Sequence, residues 1–263
     1  MKRLFSRREE PGRVEQEDVA AEPALPPAPP DRTYESSFDE LRTGFTAAVS
    51  HELRTPLARI LALLDSAELP DADVQQLIDD ARAEVEHAGA LIDEILFLSE
   101  LESGKEVVTL GRTNALPVLE EVARELEDQG ARAGVALRAG GDPEADLPLR
   151  PRMLRMIAEN LAENAVRYAG HGATFTLSVS REDGATVLRG ADDGIGVAEA
   201  DLPRLFERFY RADRARASRG TGLGLAIVKH VVTAAGGTVE ARGSRAAGLE
   251  IRCVFPTRPG GSA

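Results

Sequence analysis

The sequence contains a single cysteine, Cys253, in 263 residues. One thiol cannot form an intrachain disulfide or supply a cysteine cluster for zinc, so the fold must depend on packing. Basic side chains are also in the minority, with 32 Lys and Arg against 44 Asp and Glu. The net charge of −12 repels nucleic-acid phosphates and anionic membrane surfaces, which argues against a nucleic-acid-binding protein.

Long apolar segments are absent as well. No run reaches the roughly 18 apolar residues that a membrane-spanning helix needs. The basic start MKRLFSRREE leads into acidic and Pro-rich sequence without the apolar region of a secretory signal. We therefore expect a cytoplasmic chain with no membrane span. Its hydrophobic content of 43% is enough for one sizeable core or two modest ones.

Composition divides the chain into three parts. Residues 1–35 combine charge with a Pro/Ala-rich stretch, which predicts a disordered arm because too little apolar area is available to offset the entropy of ordering. A solvated tail is the simplest interpretation, and a docking or regulatory segment is the alternative. Residues 36–104 show helical periodicity, and residues 113–257 mix helical and strand patterns.

The second part predicts a helical hairpin. Apolar residues recur from Phe38 to Leu64 at spacings of three and four, and LPDAD then interrupts the pattern. A second helix, predicted from about Asp73 to Glu102, repeats apolar residues at alternating spacings of three and four: Ile78, Ala81, Val85, Ala88, Ile92 and Ile95. This is the seam period of a coiled coil or four-helix bundle. Because two helices alone bury little, we expect two hairpins to pair in a homodimer.

The third part predicts an α/β sandwich. Helices are expected over residues 115–133, 152–169 and 222–235, and strands over residues 135–138, 174–180, 185–190, 238–241 and 249–255. Helices mixed with antiparallel strands are typical of a layer of helices on one sheet.

The first segment whose side chains could take part in a reaction is HELRTPL, within the first helix. His51 is followed by Glu52, a potential proton acceptor, and Thr55 lies one turn further on the same face. Pro56 removes one helical hydrogen bond and is expected to bend the helix here. An isolated helical His is usually a solvated or packed residue, but a neutral imidazole beside a carboxylate is a competent phosphoryl acceptor.

The second segment is NLAENAVRY. Asn160 and Asn164 lie four residues apart on one helix face, so their amide oxygens are suited to a hard cation such as Mg²⁺. Arg167 is placed one turn further to meet phosphate, and Tyr168 follows it. A plain polar helix face is the alternative for this segment taken alone.

Two glycine-rich segments follow. In DDGIG, Gly194 and Gly196 allow the backbone to approach a flat ligand, and Asp192 can accept a hydrogen bond from an exocyclic amine, although DDG is also a common turn. In GTGLGLAIV, glycines precede an apolar helix and offer backbone N–H groups to a polyphosphate: Gly220, Gly222 and Gly224. No βαβ repeat precedes this loop, which excludes a Rossmann dinucleotide site.

Together with LFERFYRAD (residues 205–213), which lies between DDGIG and GTGLGLAIV, these segments resemble the H, N, G1, F and G2 boxes of sensor histidine kinases, in family order. The resemblance covers about residues 35–257. It implies a helical-hairpin dimerisation and histidine-phosphotransfer domain at 36–104, which forms a four-helix bundle in the dimer. An ATP-binding α/β sandwich of the gyrase and histidine kinase type is implied at 113–257.

The resemblance also implies a role for each motif residue. His51 is the phosphoacceptor, Glu52 accepts its ring proton, and Arg211 steadies the transferring phosphoryl group. The Glu52 and Thr55 pair resembles that of family members which also dephosphorylate their response regulator. Asn164, helped by Asn160, is implied to hold Mg²⁺. The remaining nucleotide contacts are implied for Arg167, Tyr168, Asp192, Gly194, Gly196, Gly220, Thr221, Gly222, Leu223 and Gly224.

Two departures from the family pattern bear on the chemistry. ATP-hydrolysing relatives carry Glu where this chain has Asn160, so hydrolysis is expected to be poor, and Glu163 is expected on a different helix face. Asp193 stands where Asn is common, and an extra carboxylate there either weakens nucleotide binding or contacts the cation.

The resemblance implies transfer of the phosphoryl group to an aspartate of a response regulator. A serine kinase of the anti-sigma type and a non-enzymatic nucleotide-sensing scaffold are the alternatives. The hairpin with HELRTP argues against the first, and the intact motif residues argue against the second.

Overall fold

The computed structural model describes residues 32–70, 72–102, 111–212 and 220–257, with residues 32–48, 101 and 102 described by their backbone only. Of the arm predicted at residues 1–35, positions 1–31 lie outside the described residues. The chain divides into two compact units, Met1–Leu41 and Arg42–Ala263. The second unit contains every side-chain contact described below.

Two long helices form the predicted hairpin, α1 (Arg32–Ala67) and α2 (Val74–Glu102). The first begins at Arg32, earlier than the expected Phe38, and it continues through Pro56. The second begins after Asp73, whose Oδ1 accepts a hydrogen bond from the Gln76 N–H at 3.1 Å, a typical helix N-cap. No helix among the described residues is long and apolar enough to cross a membrane.

The hairpin leaves many large apolar side chains uncovered. Their exposed fractions lie between 44% and 62%, and they are Leu57, Leu61, Leu64, Val74, Ile78, Val85, Ile92 and Leu96. Between the helices, the buried carboxylate of Glu84 accepts a hydrogen bond from Arg59 Nη1 at 3.3 Å. An apolar surface of this extent is typical of a protein interface.

Among its described residues, the α/β part contains short β1 (Thr113–Asn114) and β3 (Asp146–Leu147), a five-stranded sheet, four helices and a 3-10 helix (Glu199–Arg204). The sheet strands are β2 (Ala136–Gly141), β4 (Thr174–Glu182), β5 (Ala185–Asp192), β6 (Thr238–Gly243) and β7 (Leu249–Pro256). The helices are α3 (Ala115–Glu125), α4 (Glu127–Ala133), α5 (Pro151–Tyr168) and α6 (Gly224–Ala234).

The strand order in the sheet is β2-β4-β5-β7-β6. All neighbouring pairs are antiparallel except β2 and β4, which are parallel. The sequence predicts antiparallel strands, and this one pair is instead parallel, because α5 lies between the two strands in the chain and provides the crossover that a parallel pair requires.

Element boundaries differ from the sequence prediction in a few places. The helix expected over residues 115–133 is two helices, α3 and α4, which meet at Leu126, and Gly134 in the left-handed region ends the second. The short β1, β3 and 3-10 helix have no sequence signal, since two to six residues are too few to show a period.

One face of the sheet carries the core. Along β4, Phe175, Leu177 and Val179 are buried and alternate with partly exposed polar residues, as expected when one sheet face is covered. Helices α3, α5 and α6 contact the sheet. Cys253 is fully buried on β7, and burial raises the pKa of its thiol to about 12, so the thiol is protonated at neutral pH.

A charged network covers the other face of the sheet. Glu182 accepts hydrogen bonds from Arg189, from Ser180 Oγ at 2.7 Å and from Arg252 Nη2 at 2.9 Å. Arg252 also reaches Glu240, with 3.2 Å between Nη1 and Oε1, and so connects β7 to β6. The hydrogen bond from Arg189, followed by those from Ser180 and Arg252, lowers the pKa of Glu182 to about 2.

This network predicts an acid-dependent loss of stability. The Glu182 carboxyl titrates near 4.5 when unperturbed and near 2 in the fold, so the unfolded chain binds the proton first. The stabilisation is therefore present above about pH 4.5 and is lost as the pH falls toward about 2. Glu182→Gln should flatten this part of the pH dependence of the unfolding free energy, measured by urea denaturation between about pH 6 and 3. Glu250→Gln, on β7, is the matched control, and equal pH slopes for Glu182→Gln and wild type would contradict the assignment.

Candidate functional site

Segments that are distant in the sequence line one cavity of about 330 Å³. They are one face of α5, the turn after β5, the segment following the 3-10 helix, and the loop before α6. The residues expected at the site that line this cavity are Asn160, Asn164, Arg167, Tyr168, Asp192, Gly196, Arg211, Gly220, Thr221, Gly222 and Gly224. The volume lies within the range typical of small-molecule sites.

Helix α5 presents an apolar face to the core and a polar face to the cavity. Pro151 occupies its first turn, where the missing N–H costs nothing, and Ile157 and Leu161 are buried. The Asn160 amide is oriented because its Nδ2 donates to the carbonyl of Met156 at 2.8 Å. The Asn160 Oδ1 lies so close to Gly224 that a Cβ there would approach it to 2.5 Å. Glycine at position 224 therefore lets α6 begin directly beside the Asn160 oxygen.

Glu163 lies in the same cavity, contrary to the expectation that it occupies another helix face. Its Oε2 accepts a hydrogen bond from Arg167 Nη2 at 3.0 Å. Neighbouring residues on a helix point about 100° apart, so the Cβ of Glu163 lies at the edge of the helix face on which Asn164 points into the cavity. The Glu163 side chain is long enough to reach the cavity from there, and the hydrogen bond from Arg167 holds its carboxylate at the cavity wall.

The turn after β5 is held by Asp192. Its Oδ1 accepts a hydrogen bond from the Gly194 N–H at 2.9 Å, and burial raises its pKa despite this hydrogen bond. Gly194 does not line the cavity. A Cβ on Gly194 would lie 2.0 Å from the carbonyl oxygen of Ala169, so this glycine packs the turn against the end of α5. The adjacent Asp193 is exposed, and its Oδ1 accepts from the Thr174 N–H at 2.6 Å, which directs the carboxylate to the end of the sheet.

The glycine-rich loop is shaped by Thr221 and Gly222. Thr221 Oγ1 accepts a hydrogen bond from the Leu223 N–H at 3.2 Å, and Gly222 has a positive φ of 70°. The carbonyl of Gly222 accepts from the Phe209 N–H at 3.0 Å, which connects this loop to the segment after the 3-10 helix. Leu223 is fully buried, so it anchors the loop in the core and does not face the cavity.

The segment after the 3-10 helix is organised around Tyr210. Its hydroxyl donates to Asp201 Oδ1 at 2.7 Å, and the Arg204 guanidinium lies 4.2 Å from its ring centroid, a cation–π contact. Phe209 adopts a φ of +60°, which is unfavourable for an aromatic residue and is found where surrounding contacts impose it. Tyr210 and Arg211 both line the cavity.

His51 and its neighbours lie elsewhere, on α1. The His51 ring is 75% exposed, and its Nδ1 lies 3.7 Å from Glu52 Oε1. The Thr55 hydroxyl donates to the carbonyl of His51 at 3.3 Å. His51 and Thr55 line a separate shallow groove together with Arg54 and Arg59. The structure therefore keeps the candidate phosphoacceptor apart from the cavity.

An unexpected residue from the hairpin reaches the cavity. Glu94 of α2 is among its lining residues, and its Oε2 accepts a hydrogen bond from Thr221 Oγ1 at 2.7 Å. Burial raises the pKa of Glu94. The sequence does contain a signal for Glu94: it lies three residues after Leu91 and four before Leu98, so a carboxylate interrupts an apolar stripe of the helix.

Two family models match the chain. The His Kinase A (phospho-acceptor) domain matches residues 41–104, and the histidine kinase-, DNA gyrase B- and HSP90-like ATPase matches residues 150–259. The first covers most of the hairpin that carries His51, and the second contains every expected residue of the cavity.

Curated relatives are similar to this chain across both of its matched parts. The sensor-like histidine kinase SenX3 of Mycolicibacterium smegmatis is 29% identical over 87% of this chain and 61% of its own length. The signal transduction histidine-protein kinase BaeS of Escherichia coli is 32% identical over 82% of this chain and 47% of its own length. The chain thus spans about half the length of such relatives.

Solved structures show the same architecture. Full-length ShkA in complex with AMPPNP is 28% identical, with a TM-score of 0.61 over 80% of this chain and 45% of that chain. ThkA in complex with the response regulator protein TrrA has a TM-score of 0.65 over 87% of this chain and 64% of that chain, at 19% identity, and is similar in fold. From the two matched domains, their order and these relatives, the chain belongs to the sensor histidine kinase family.

Proposed function

We propose that this chain is an autophosphorylating protein-histidine kinase, which transfers the γ-phosphoryl group of ATP to His51 and then to an aspartate of a response regulator. The observation that carries the proposal is the combination, in one chain, of an exposed His beside a carboxylate and a cavity built from the ATPase motifs. The complexes of ShkA with AMPPNP and of ThkA with a response regulator support both the nucleotide and the partner. We assign dimerisation and phosphotransfer to residues 36–104 and ATP binding to residues 113–257.

The cavity fits a nucleotide triphosphate with Mg²⁺. Asn160 and Asn164 contribute amide oxygens, which are suitable ligands for a hard cation, and Arg167 and Arg211 contribute positive charge for phosphate oxygens. When bound, Mg²⁺ neutralises charge that develops on the phosphate oxygens during transfer. Asp192 is the last residue of β5 and lines the same cavity, where its carboxylate can accept a hydrogen bond from the adenine amino group.

His51 supplies the nucleophile in this scheme. Because Nδ1 faces Glu52, the Nε2 atom is the nitrogen that attacks the γ-phosphorus, and the bond from that phosphorus to the oxygen of the ADP leaving group breaks. Glu52 accepts the proton released from Nδ1, which leaves the ring of the phosphohistidine uncharged. Since His51 and the cavity are separate in the structure, the cavity must approach His51 before transfer.

The proposal is tested by incubating the purified chain with Mg²⁺ and γ-labelled ATP. Phosphohistidine is acid-labile and alkali-stable, so we expect label that survives base, is lost in acid and maps to His51 by mass spectrometry. Label on a hydroxyl side chain would contradict the proposal in favour of a serine kinase. Bound ATP without any covalent label would contradict it in favour of a nucleotide-sensing scaffold.

We propose a homodimer through the hairpin. The uncovered side chains of α1 and α2, between 44% and 62% exposed, include Ile78, Val85 and Ile92 of the predicted seam. Pairing two hairpins into a four-helix bundle removes this apolar surface from water, which is the main driving force for association.

We also propose that the chain dephosphorylates its response regulator, with Thr55 placing the attacking water. The Thr55 hydroxyl lies on the His51 groove and donates to the helix carbonyl of His51, an interaction that it can exchange for a water. Thr55→Ala should lower the dephosphorylation rate of a phosphorylated regulator by about 10-fold or more while autophosphorylation continues. Thr55→Ser, which keeps a hydroxyl, is the control. Equal dephosphorylation rates for wild type and Thr55→Ala would contradict this role.

A further inference from the structure

Helix α2 packs directly against the ATP-binding domain. Leu91 and Leu98 are 1% exposed and belong to the same apolar cluster as the α6 residues Val228 and Val231. Contacts between α2 and α6 accompany this burial. Leu91 and Leu98 are seven residues apart, so they lie on one side of α2 and form a docking face.

Glu94 projects from this docking face into the cavity. Its carboxylate lines the same space as Asn164 and Arg167, and Thr221 of the glycine-rich loop donates to it at 2.7 Å. Arg167 and Glu163 are the charged groups that act on it most strongly there, with opposite signs. Thr221 is itself only 7% exposed, so the hydrogen bond is formed away from bulk water.

A carboxylate at this position conflicts with a triphosphate. Both are anions, both are placed to use the positive charge of Arg167, and like charges repel more strongly where they are partly buried. Burial raises the pKa of Glu94, the direction expected for a carboxylate that is partly removed from water. Adding phosphate oxygens next to it increases the repulsion.

We propose that Glu94 is a latch that couples nucleotide binding to release of the hairpin: docking of α2 through Glu94 and occupancy of the cavity by ATP oppose each other. The inference rests on the nucleotide site proposed above. In the latched state His51 lies outside the cavity, so the latch holds the chain in an arrangement that does not phosphorylate. Nucleotide displaces Glu94 and frees the two parts to rearrange.

The test is the affinity of the full chain for ADP with Mg²⁺, measured by calorimetry on wild type, Glu94→Gln and Asp93→Asn. Asp93 is exposed at the preceding position of α2, so its variant makes the same change of charge outside the cavity. Coupling between sites typically changes affinity about 5- to 150-fold, and we expect Glu94→Gln to bind ADP about 10-fold more tightly than wild type. Asp93→Asn should match wild type.

Hydrogen exchange provides a second readout that a purely structural Glu94 would not affect. Addition of ADP to wild type should increase amide exchange over residues 91–98, because α2 leaves the ATP-binding domain. Unchanged ADP affinity in Glu94→Gln would overturn the latch while leaving the nucleotide site intact. Weaker binding would also overturn it, by showing that Glu94 supports the nucleotide. Wild type that binds no ADP would count against the nucleotide site itself.

Discussion

Replacement of His51 by Gln is expected to reduce covalent phosphate on the chain to background while leaving ATP binding unchanged. The loss is complete because the imidazole forms the new bond to phosphorus, and glutamine has no nitrogen with comparable nucleophilicity. Binding is retained because His51 lies in a separate groove from the nucleotide cavity. The side chain is 75% exposed, so the variant should fold normally.

His87→Gln is the matched control for this variant. His87 lies on α2, outside both the cavity and the groove, so its replacement should leave labelling at the wild-type level. The comparison uses γ-labelled ATP for covalent phosphate and a separate binding measurement for ATP. Covalent label that persists in His51→Gln and is lost in His87→Gln would move the phosphoacceptor to the second helix.

Replacement of Asn164 by Ala is expected to lower the rate of autophosphorylation about 100-fold or more. Positioning and neutralisation of the phosphate oxygens supply most of the catalysis in phosphoryl transfer, and loss of one preorganised polar group typically costs two to three orders of magnitude, or about 3–4 kcal/mol. Alanine is the best helix former, and position 164 is on the polar face of α5, so the fold should survive.

The Mg²⁺ dependence separates a metal-binding role from a structural one. If Asn164 holds the cation, wild type should bind ADP more weakly when Mg²⁺ is removed by a chelator, and Asn164→Ala should lose most of this dependence. Arg152→Ala, an exposed change at the start of the same helix, should leave rate and Mg²⁺ dependence as in wild type. A wild-type Mg²⁺ response in Asn164→Ala would remove Asn164 from the cation site.

The two halves of the chain were predictable to different degrees. The hairpin follows from local spacing, since apolar residues every three or four positions define α1 and α2 with little reference to the rest of the chain. The strands of the sheet were also predictable from alternation, because β4 alternates buried and partly exposed residues over its first seven positions. The parallel pairing of β2 with β4 has no such local signal, because it depends on how α5 crosses the sheet.

The motif residues also differ in how far their roles could be predicted from the sequence. Asn160, Asn164 and Asp192 belong to motifs whose spacing indicates a ligand, and the structure brings them into one cavity. Gly194 and Leu223, from the same motifs, support the cavity through packing instead. Residue type alone does not distinguish a residue that faces a ligand from one that shapes the loop behind it.

By itself, the sequence determined the hairpin, the strand-rich domain, the family and the chemical character of the motif residues, because each is encoded in short patterns of spacing and residue type. Tertiary structure decided that Glu163 turns into the cavity, that Glu94 reaches it from the hairpin and that His51 stays outside. These facts depend on packing between segments up to 127 residues apart, as between Glu94 and Thr221. Local periodicity carries no information about such distances, since they are set by the burial of apolar faces such as that of Leu91 and Leu98.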